Sequence, residues 1–171
     1  MDGSIAAVFL LASLGDMAFT DCRTDGCLAL GSDQARLSLS VGEVAFQSMV
    51  VEHEAYLRYD FARHYGPFQP SVGASVTTSG DVWVGLGAVY NIPLQNDRIY
   101  GQLSLLPGIY QRGSGPDLGH EVEFRSGIEF GYQADSGMRI GLSFDHRSNL
   151  DFGKINPGLE TLQLRVSFPM K

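Results

Sequence analysis

The sequence predicts an all-β protein, an eight-stranded antiparallel β-barrel of the outer-membrane type. Three observations support this fold class. The chain is rich in glycine, with 21 among 171 residues, and only 18% of its residues are charged. Apolar and polar residues alternate along eight segments that are separated by turn-forming residues. An apolar run near the N-terminus is typical of an exported protein.

The eight strands are predicted from alternation with a period of two residues. Successive side chains of a strand point to opposite faces, so each segment has one apolar and one polar face. One strand and its turn take about 17 residues, as in membrane barrels. The predicted strands are 36–46, 54–62, 68–77, 82–91, 99–109, 121–133, 138–148 and 160–168.

Each strand has its own pattern. The first has three aliphatic residues in phase before a bulge predicted near Gly42, and the second alternates throughout. The turn Ser79-Gly80 separates the third from the fourth, in which Trp83 and glycines oppose an aliphatic face. In the sixth strand, aliphatic and aromatic residues oppose charged ones. The apolar faces include Leu37, Leu39, Val41, Ala55, Leu57, Tyr59, Phe61, Val82, Val84, Leu86, Leu103, Leu105, Val122, Phe124, Ile128 and Phe130.

Alternation alone permits two barrels of opposite polarity. A soluble lipocalin-like carrier turns its apolar face inward, whereas a membrane barrel turns it toward lipid. The export-like N-terminus and the tyrosine and phenylalanine residues near strand ends favour the membrane form. The polar face also favours it, because both signs of charge suit a filled lumen in which ion pairs replace water. That face contains Arg58, Asp60, Glu121, Glu123, Arg125, Glu129, Arg139 and Arg165.

The N-terminal region is predicted to direct export. Residues 1–15 are interpreted as a signal peptide, residues 16–33 as a periplasmic segment and residues 34–171 as the barrel. The first four residues lack the usual basic side chain, so a short buried strand or helix is the alternative. Cys22 and Cys27 are predicted to form a local structural disulfide. A zinc site is less favoured, since no second pair completes four ligands.

Composition also restricts the partners. A net charge of −7 argues against nucleic acid, because phosphate binding needs clustered basic residues. No apolar run of eighteen residues follows the N-terminal segment, so no transmembrane helix is predicted in the body of the chain. No cofactor or metal is predicted. The sequence leaves a homodimer open.

Three polar residues stand on the apolar faces of the last two strands. His146 and Ser148 are two residues apart, about 7 Å along the strand. Glu160 lies on the next antiparallel strand, where cross-strand neighbours come into contact. Serine, histidine and a carboxylate are the residue types of a nucleophile, a general base and its orienting group. The alternatives are a turn role for Ser148 and an interfacial histidine at position 146.

The sixteen-residue string HRSNLDFGKINPGLET, which begins at His146, resembles the signature of PagL-type lipid A 3-O-deacylases. In that family, His-x-Ser-Asn is followed by Asn-Pro-Gly-x-Glu, with a lipid-facing triad on an eight-stranded outer-membrane barrel. The resemblance implies that Ser148 is the nucleophile, His146 the general base and Glu160 the residue that orients the imidazole. It also implies that Asn149 and Asn156 contribute to the oxyanion hole. A plain turn at 156–158 remains an alternative.

The same resemblance implies a substrate and a location. The substrate would be lipid A of lipopolysaccharide, cleaved at its 3-O-linked hydroxyacyl ester in the outer leaflet of the bacterial outer membrane. The non-enzymatic alternative is a structural or adhesive barrel in which the three residues are coincidental or decayed. Adhesion would favour long polar loops, and the only long loop predicted is 149–159.

Overall fold

Eight antiparallel strands close into a barrel in the computed structural model, which describes residues 3–94 and 98–171. The predicted fold class is therefore confirmed. The barrel order is β10-β2-β3-β5-β6-β7-β8-β9, and two short strands, β1 and β4, pair beside it. The strands are β1 (Leu30–Ser32), β2 (Arg36–Phe46), β3 (Met49–Asp60), β4 (Arg63–Tyr65), β5 (Gln69–Thr77), β6 (Val82–Ile92), β7 (Ile99–Gln111), β8 (Val122–Gln133), β9 (Arg139–Ser148) and β10 (Leu159–Pro169).

The bulge between β2 and β3 lies closer to the turn that joins them than predicted. The expected position near Gly42 is wrong, because the register shifts between Val44 and Ala45. Val44 pairs with Glu52 but Ala45 pairs with Val50, so Val51 is the extra residue. The pairing of β2 with β3 is regular from Arg36 to Val44, so the faces predicted for this part of the two strands are unchanged.

Charged side chains fill the lumen, and aliphatic side chains cover the outer face. Glu54 accepts two hydrogen bonds from Arg125, at 3.1 and 2.7 Å, and one from Arg147 at 2.6 Å. Asp145 accepts a bond of 2.7 Å from Arg125 Nε. This polarity excludes the lipocalin-like alternative. Exposed residues on the outer face include Leu39, Val41, Leu57, Val76, Val84, Leu86, Ile109, Ile140, Leu142, Leu162 and Leu164.

One end of the barrel carries two ten-residue loops, 112–121 and 149–158, and we call it the long-loop end. The prediction of a single long loop is wrong, although the predicted bounds of the fifth and sixth strands leave room for loop 112–121. The loops pack against each other, since a Cβ on Gly153 would lie 2.4 Å from the Gly119 carbonyl oxygen. Beneath them, an apolar cluster closes the lumen; it comprises Val44, Tyr56, Trp83, Leu106, Tyr110, Leu118 and Leu159.

The N-terminal region is helical and lies at the opposite end. Helix α1 (Ser4–Asp16) packs on the outer face of the barrel, where Phe9 is buried against Tyr90 and Leu103. A π-helical turn and the short helix α2 (Cys22–Thr24) follow. The stretch Ser4–Thr24 is long and apolar enough to cross a membrane, a property that signal sequences share. Signal-peptide removal stays a prediction, and residues 1 and 2 lie outside the described residues.

The predicted disulfide is present. Cys22 and Cys27 are bonded to each other. The chain beyond them is held against the barrel, because β1 pairs with β4 in the connection between β3 and β5. The assignment of residues 16–33 to the periplasm stays a prediction.

Candidate active site

Strand β9 separates two kinds of side chain at the long-loop end. His146 and Ser148 are on the outer face, and Arg147 between them points into the lumen. Arg147 donates to Glu54 at 2.6 Å and to Thr161 Oγ1 at 3.4 Å. Because neighbouring residues of a strand must point in opposite directions, this buried ion pair fixes the outward direction of His146 and Ser148.

His146 and Glu160 form the centre of the site. They are direct partners across the β9–β10 ladder, and His146 Nδ1 lies 3.3 Å from Glu160 Oε1. The side chain of His146 is 3% exposed, whereas that of Glu160 is 15% exposed. Strand alternation predicts that both residues share one face, and the structure brings them together there.

Ser148 is the last residue of β9 and is 8% exposed. It pairs with Phe124 on β8, and the Phe124 ring contacts the ring of Phe152 at a centroid distance of 5.9 Å. Phe152 belongs to loop 149–158, so this loop is folded down onto the outer wall beside the serine. Alternation predicts the position of Phe124, but no signal in the sequence places Phe152 there.

The two asparagines hold the loop together. Asn149 is completely buried, and its Nδ2 donates to the carbonyl oxygens of Leu118 at 2.7 Å and Ile155 at 2.9 Å. Asn156 accepts a bond from the Asn149 backbone amide at 3.1 Å and donates to Asp151 at 3.1 Å. Both side chains are thus engaged within the loops, and their role in an oxyanion hole stays a prediction.

Gly158 is a further site residue, for which the sequence itself predicts only a turn. Its φ is +73°, in the region that favours glycine. A Cβ at this position would lie 2.9 Å from His146 Cε1. The absence of a side chain therefore allows the loop to pack directly against the imidazole. The string Asn156-Pro157-Gly158 signals a turn, but the contact with His146 depends on the fold.

The fold and the site together define a bacterial outer-membrane β-barrel with a histidine–carboxylate pair on its lipid-facing wall. The sequence profile of the lipid A 3-O-deacylase (PagL) family matches residues 46–169. The chain therefore belongs to the PagL family. No match was found among curated proteins.

Solved structures agree with the barrel. A crystal structure of the outer membrane enzyme PagL superposes with a TM-score of 0.62 and 19% identity, covering 79% of this chain and 99% of that chain. A de novo designed transmembrane β-barrel gives a TM-score of 0.59 at 8% identity and covers 82% of this chain and 98% of its own. Neisserial surface protein A gives 0.51 at 8% identity, with 83% and 99% covered. At these identities the likeness is one of fold.

Proposed function

We propose that this protein is a lipid A 3-O-deacylase, a serine esterase that hydrolyses the 3-O-linked hydroxyacyl ester of lipid A. The observation that carries the proposal is the 3.3 Å contact between His146 Nδ1 and Glu160 Oε1 on the outer wall. Ionisable side chains are rare on lipid-facing surfaces because they are costly there, and such groups therefore mark functional sites. The fold itself requires only apolar side chains at these positions.

The orientation of the barrel supports this substrate. Both ends of the described barrel chain, Arg36 and Pro169, lie at the end opposite the long-loop end. Outer-membrane barrels have short periplasmic turns and longer extracellular loops, so the long-loop end is extracellular. Ser148 terminates β9 at that end and faces sideways into the outer leaflet. A lipid ester can then reach it without leaving the membrane.

The proposed reaction proceeds through an acyl-enzyme. The Nδ1 contact with Glu160 leaves Nε2 of His146 as the nitrogen that takes the Ser148 proton. The serine oxygen attacks the ester carbonyl carbon, and collapse of the tetrahedral intermediate expels the sugar oxygen, which takes the proton from the imidazolium. Water, deprotonated by His146, then attacks the acyl-enzyme. The products are a 3-hydroxy fatty acid and the regenerated serine.

The developing oxyanion needs donors, each typically contributing about 3–4 kcal/mol. We assign this role to Asn149, Asn156 or backbone amides of the same loop. The bonds of Asn149 to the carbonyl oxygens of Leu118 and Ile155 support a positioning contribution for this residue. A direct contribution from its amide would require these bonds to exchange when the substrate binds.

Mass spectrometry of lipid A tests the proposal. Outer membranes that carry the parent protein should contain lipid A lighter by one 3-hydroxyacyl group, and membranes with Ser148→Ala should not. Ser136→Ala is the matched control, since Ser136 precedes β9 at the opposite end of the strand. Unchanged lipid A with the folded parent barrel in the membrane would refute the proposal and favour the structural or adhesive barrel.

A further inference from the structure

A second polar pair lies on the lipid-facing wall, two and three strands away from the strand that carries His146. Glu43 on β2 and His53 on β3 are direct partners in the ladder. Both residues are exposed, while Val44 and Glu52 beside them are buried, so both side chains point outward. Within residues 3–94 and 98–171, no hydrogen bond or ion pair engages either side chain.

The pair adjoins the candidate active site. Glu160 is the ladder partner of Ala45, and Glu43 lies two residues farther along β2 on the same face. Such diagonal neighbours are about 7–8 Å apart. A continuous outward-facing band therefore crosses β9, β10, β2 and β3 through His146, Glu160, Glu43 and His53.

Glu43 and His146 lie at a similar distance from the long-loop end of the barrel. Glu43 lies three residues from the end of β2, and His146 lies two residues from the end of β9. At about 3.3 Å per residue, both are about 7–10 Å along the strand from the long-loop end. This is the level at which acyl chains give way to headgroups, where polar side chains meet polar lipid groups.

The surface around the pair is amphipathic along the barrel axis. A depression of about 580 Å³ contains Glu43 and His53 together with Thr78. An apolar groove of about 790 Å³ continues from it toward the opposite end and includes Leu39 and Leu57. The two cavities share Val41, Ala55 and Val76, so one elongated ligand can occupy both.

We propose that Glu43 and His53 form a headgroup subsite for the sugar phosphate of a glycolipid whose acyl chains lie in the apolar groove. The Glu43 carboxylate accepts hydrogen bonds from sugar hydroxyl or amide N–H groups, and the His53 imidazole donates to a phosphate or hydroxyl oxygen. A phospholipid without a sugar fills the groove but offers few donors to the carboxylate. This inference rests on the proposed function, because the subsite would hold the substrate beside Ser148.

Binding measured without turnover tests the subsite. Native mass spectrometry of the Ser148→Ala protein in detergent micelles, titrated with purified lipid A and separately with phosphatidylcholine, whose headgroup has no hydroxyl or N–H donor, gives the two affinities. We expect lipid A to bind more tightly, and Glu43→Gln with His53→Asn to weaken its binding at least fivefold while changing the binding of phosphatidylcholine much less. Asp135→Asn, which removes a carboxylate at the opposite end, is the control.

Two results would overturn the subsite. One is equal lipid A affinity with and without the Glu43 and His53 substitutions. The other is an equal loss for both lipids, which would indicate a general effect of charge. Heat-modifiable gel mobility verifies that each variant is folded, and the single substitutions replace the double variant if it is not. If the parent protein binds lipid A but never cleaves it, the proposed function fails and the subsite stands.

Discussion

Substitution of Gly158 by alanine isolates the contact between loop 149–158 and the imidazole. Two effects are expected. Alanine at φ +73° is strained by about 1–2 kcal/mol relative to glycine. The new Cβ would also lie 2.9 Å from His146 Cε1, whereas ordinary contacts begin at 3.4 Å. The ring or the loop must therefore move by about 0.5 Å.

The expected magnitude follows from this displacement. A misplacement of about 1 Å costs roughly a hundredfold in rate, so half of that corresponds to about tenfold. A tenfold loss equals about 1.4 kcal/mol of transition-state stabilisation. The His146–Glu160 contact, at 3.3 Å, is already long for a charge-assisted hydrogen bond, which leaves little tolerance for further movement.

Gly80→Ala is the matched control. Gly80 has φ +78° in the turn between β5 and β6 at the same end of the barrel, and a Cβ there would meet nothing within 4 Å. The assay compares initial rates of lipid A deacylation for the two variants in identical micelles, with unfolding in urea as the stability measurement. We expect both variants to lose stability through backbone strain, Gly158→Ala the more because of its added contact with His146, and a tenfold lower kcat/KM for Gly158→Ala alone. Equal activities would refute the positioning role of Gly158.

Two other substitutions test the site and its support. Glu160→Ala should lower kcat at least tenfold yet leave more deacylation than Ser148→Ala, because the histidine can still act as a base without its orienting group. If the Glu160→Ala variant is as active as the parent protein, Glu160 has no role in the mechanism. Arg125→Ala deprives the buried Glu54 carboxylate of a bidentate partner and should reduce the free energy of unfolding by about 3–5 kcal/mol. Urea titration of the reconstituted barrel measures this loss, with Arg112→Ala, which removes one member of an exposed ion pair, as the control. If Arg125→Ala lowers the free energy of unfolding no more than Arg112→Ala does, the prediction is contradicted.

Strand parity made the outer wall predictable. A period of two allows no intermediate direction, so placing Leu142 and Phe144 against lipid also placed His146 and Ser148 there. The structure has the same faces, and Arg147 occupies the lumen as this parity requires. The antiparallel order of the last two strands predicts that Glu160 is near His146, and the structure adds the register that makes them direct partners.

The bulge could not be located because its cause is not visible in the residues. Strands β2 and β3 are joined by only Gln47 and Ser48, both with positive φ, at 50° and 68°. Turns of this kind usually contain asparagine or glycine, and the sequence lacks that signal. The prediction therefore began the second strand at position 54 and not at Met49, and placed the irregularity at the nearest glycine.

Contacts between loops were equally inaccessible. The bond from Asn149 to the Leu118 carbonyl joins residues 31 positions apart and exists only because the barrel brings β7, β8 and β9 together. The pairing of β1 with β4 involves three residues on each side, too few to give a detectable alternation. Loop packing thus decides what the side chains of Asn149 and Asn156 contact, and composition cannot reveal it.

The alternation along β9 makes the proposed chemistry inseparable from correct assembly. A slip of this strand by one residue would turn Arg139, Asp145 and Arg147 toward the acyl chains and draw His146 and Ser148 into the lumen. The slip would also separate Arg147 from Glu54 and Asp145 from Arg125, and breaking a buried ion pair costs about 3–5 kcal/mol, so the slipped barrel is strongly disfavoured. The ionic residues that fill the interior therefore favour the correct register of β9 when the barrel assembles.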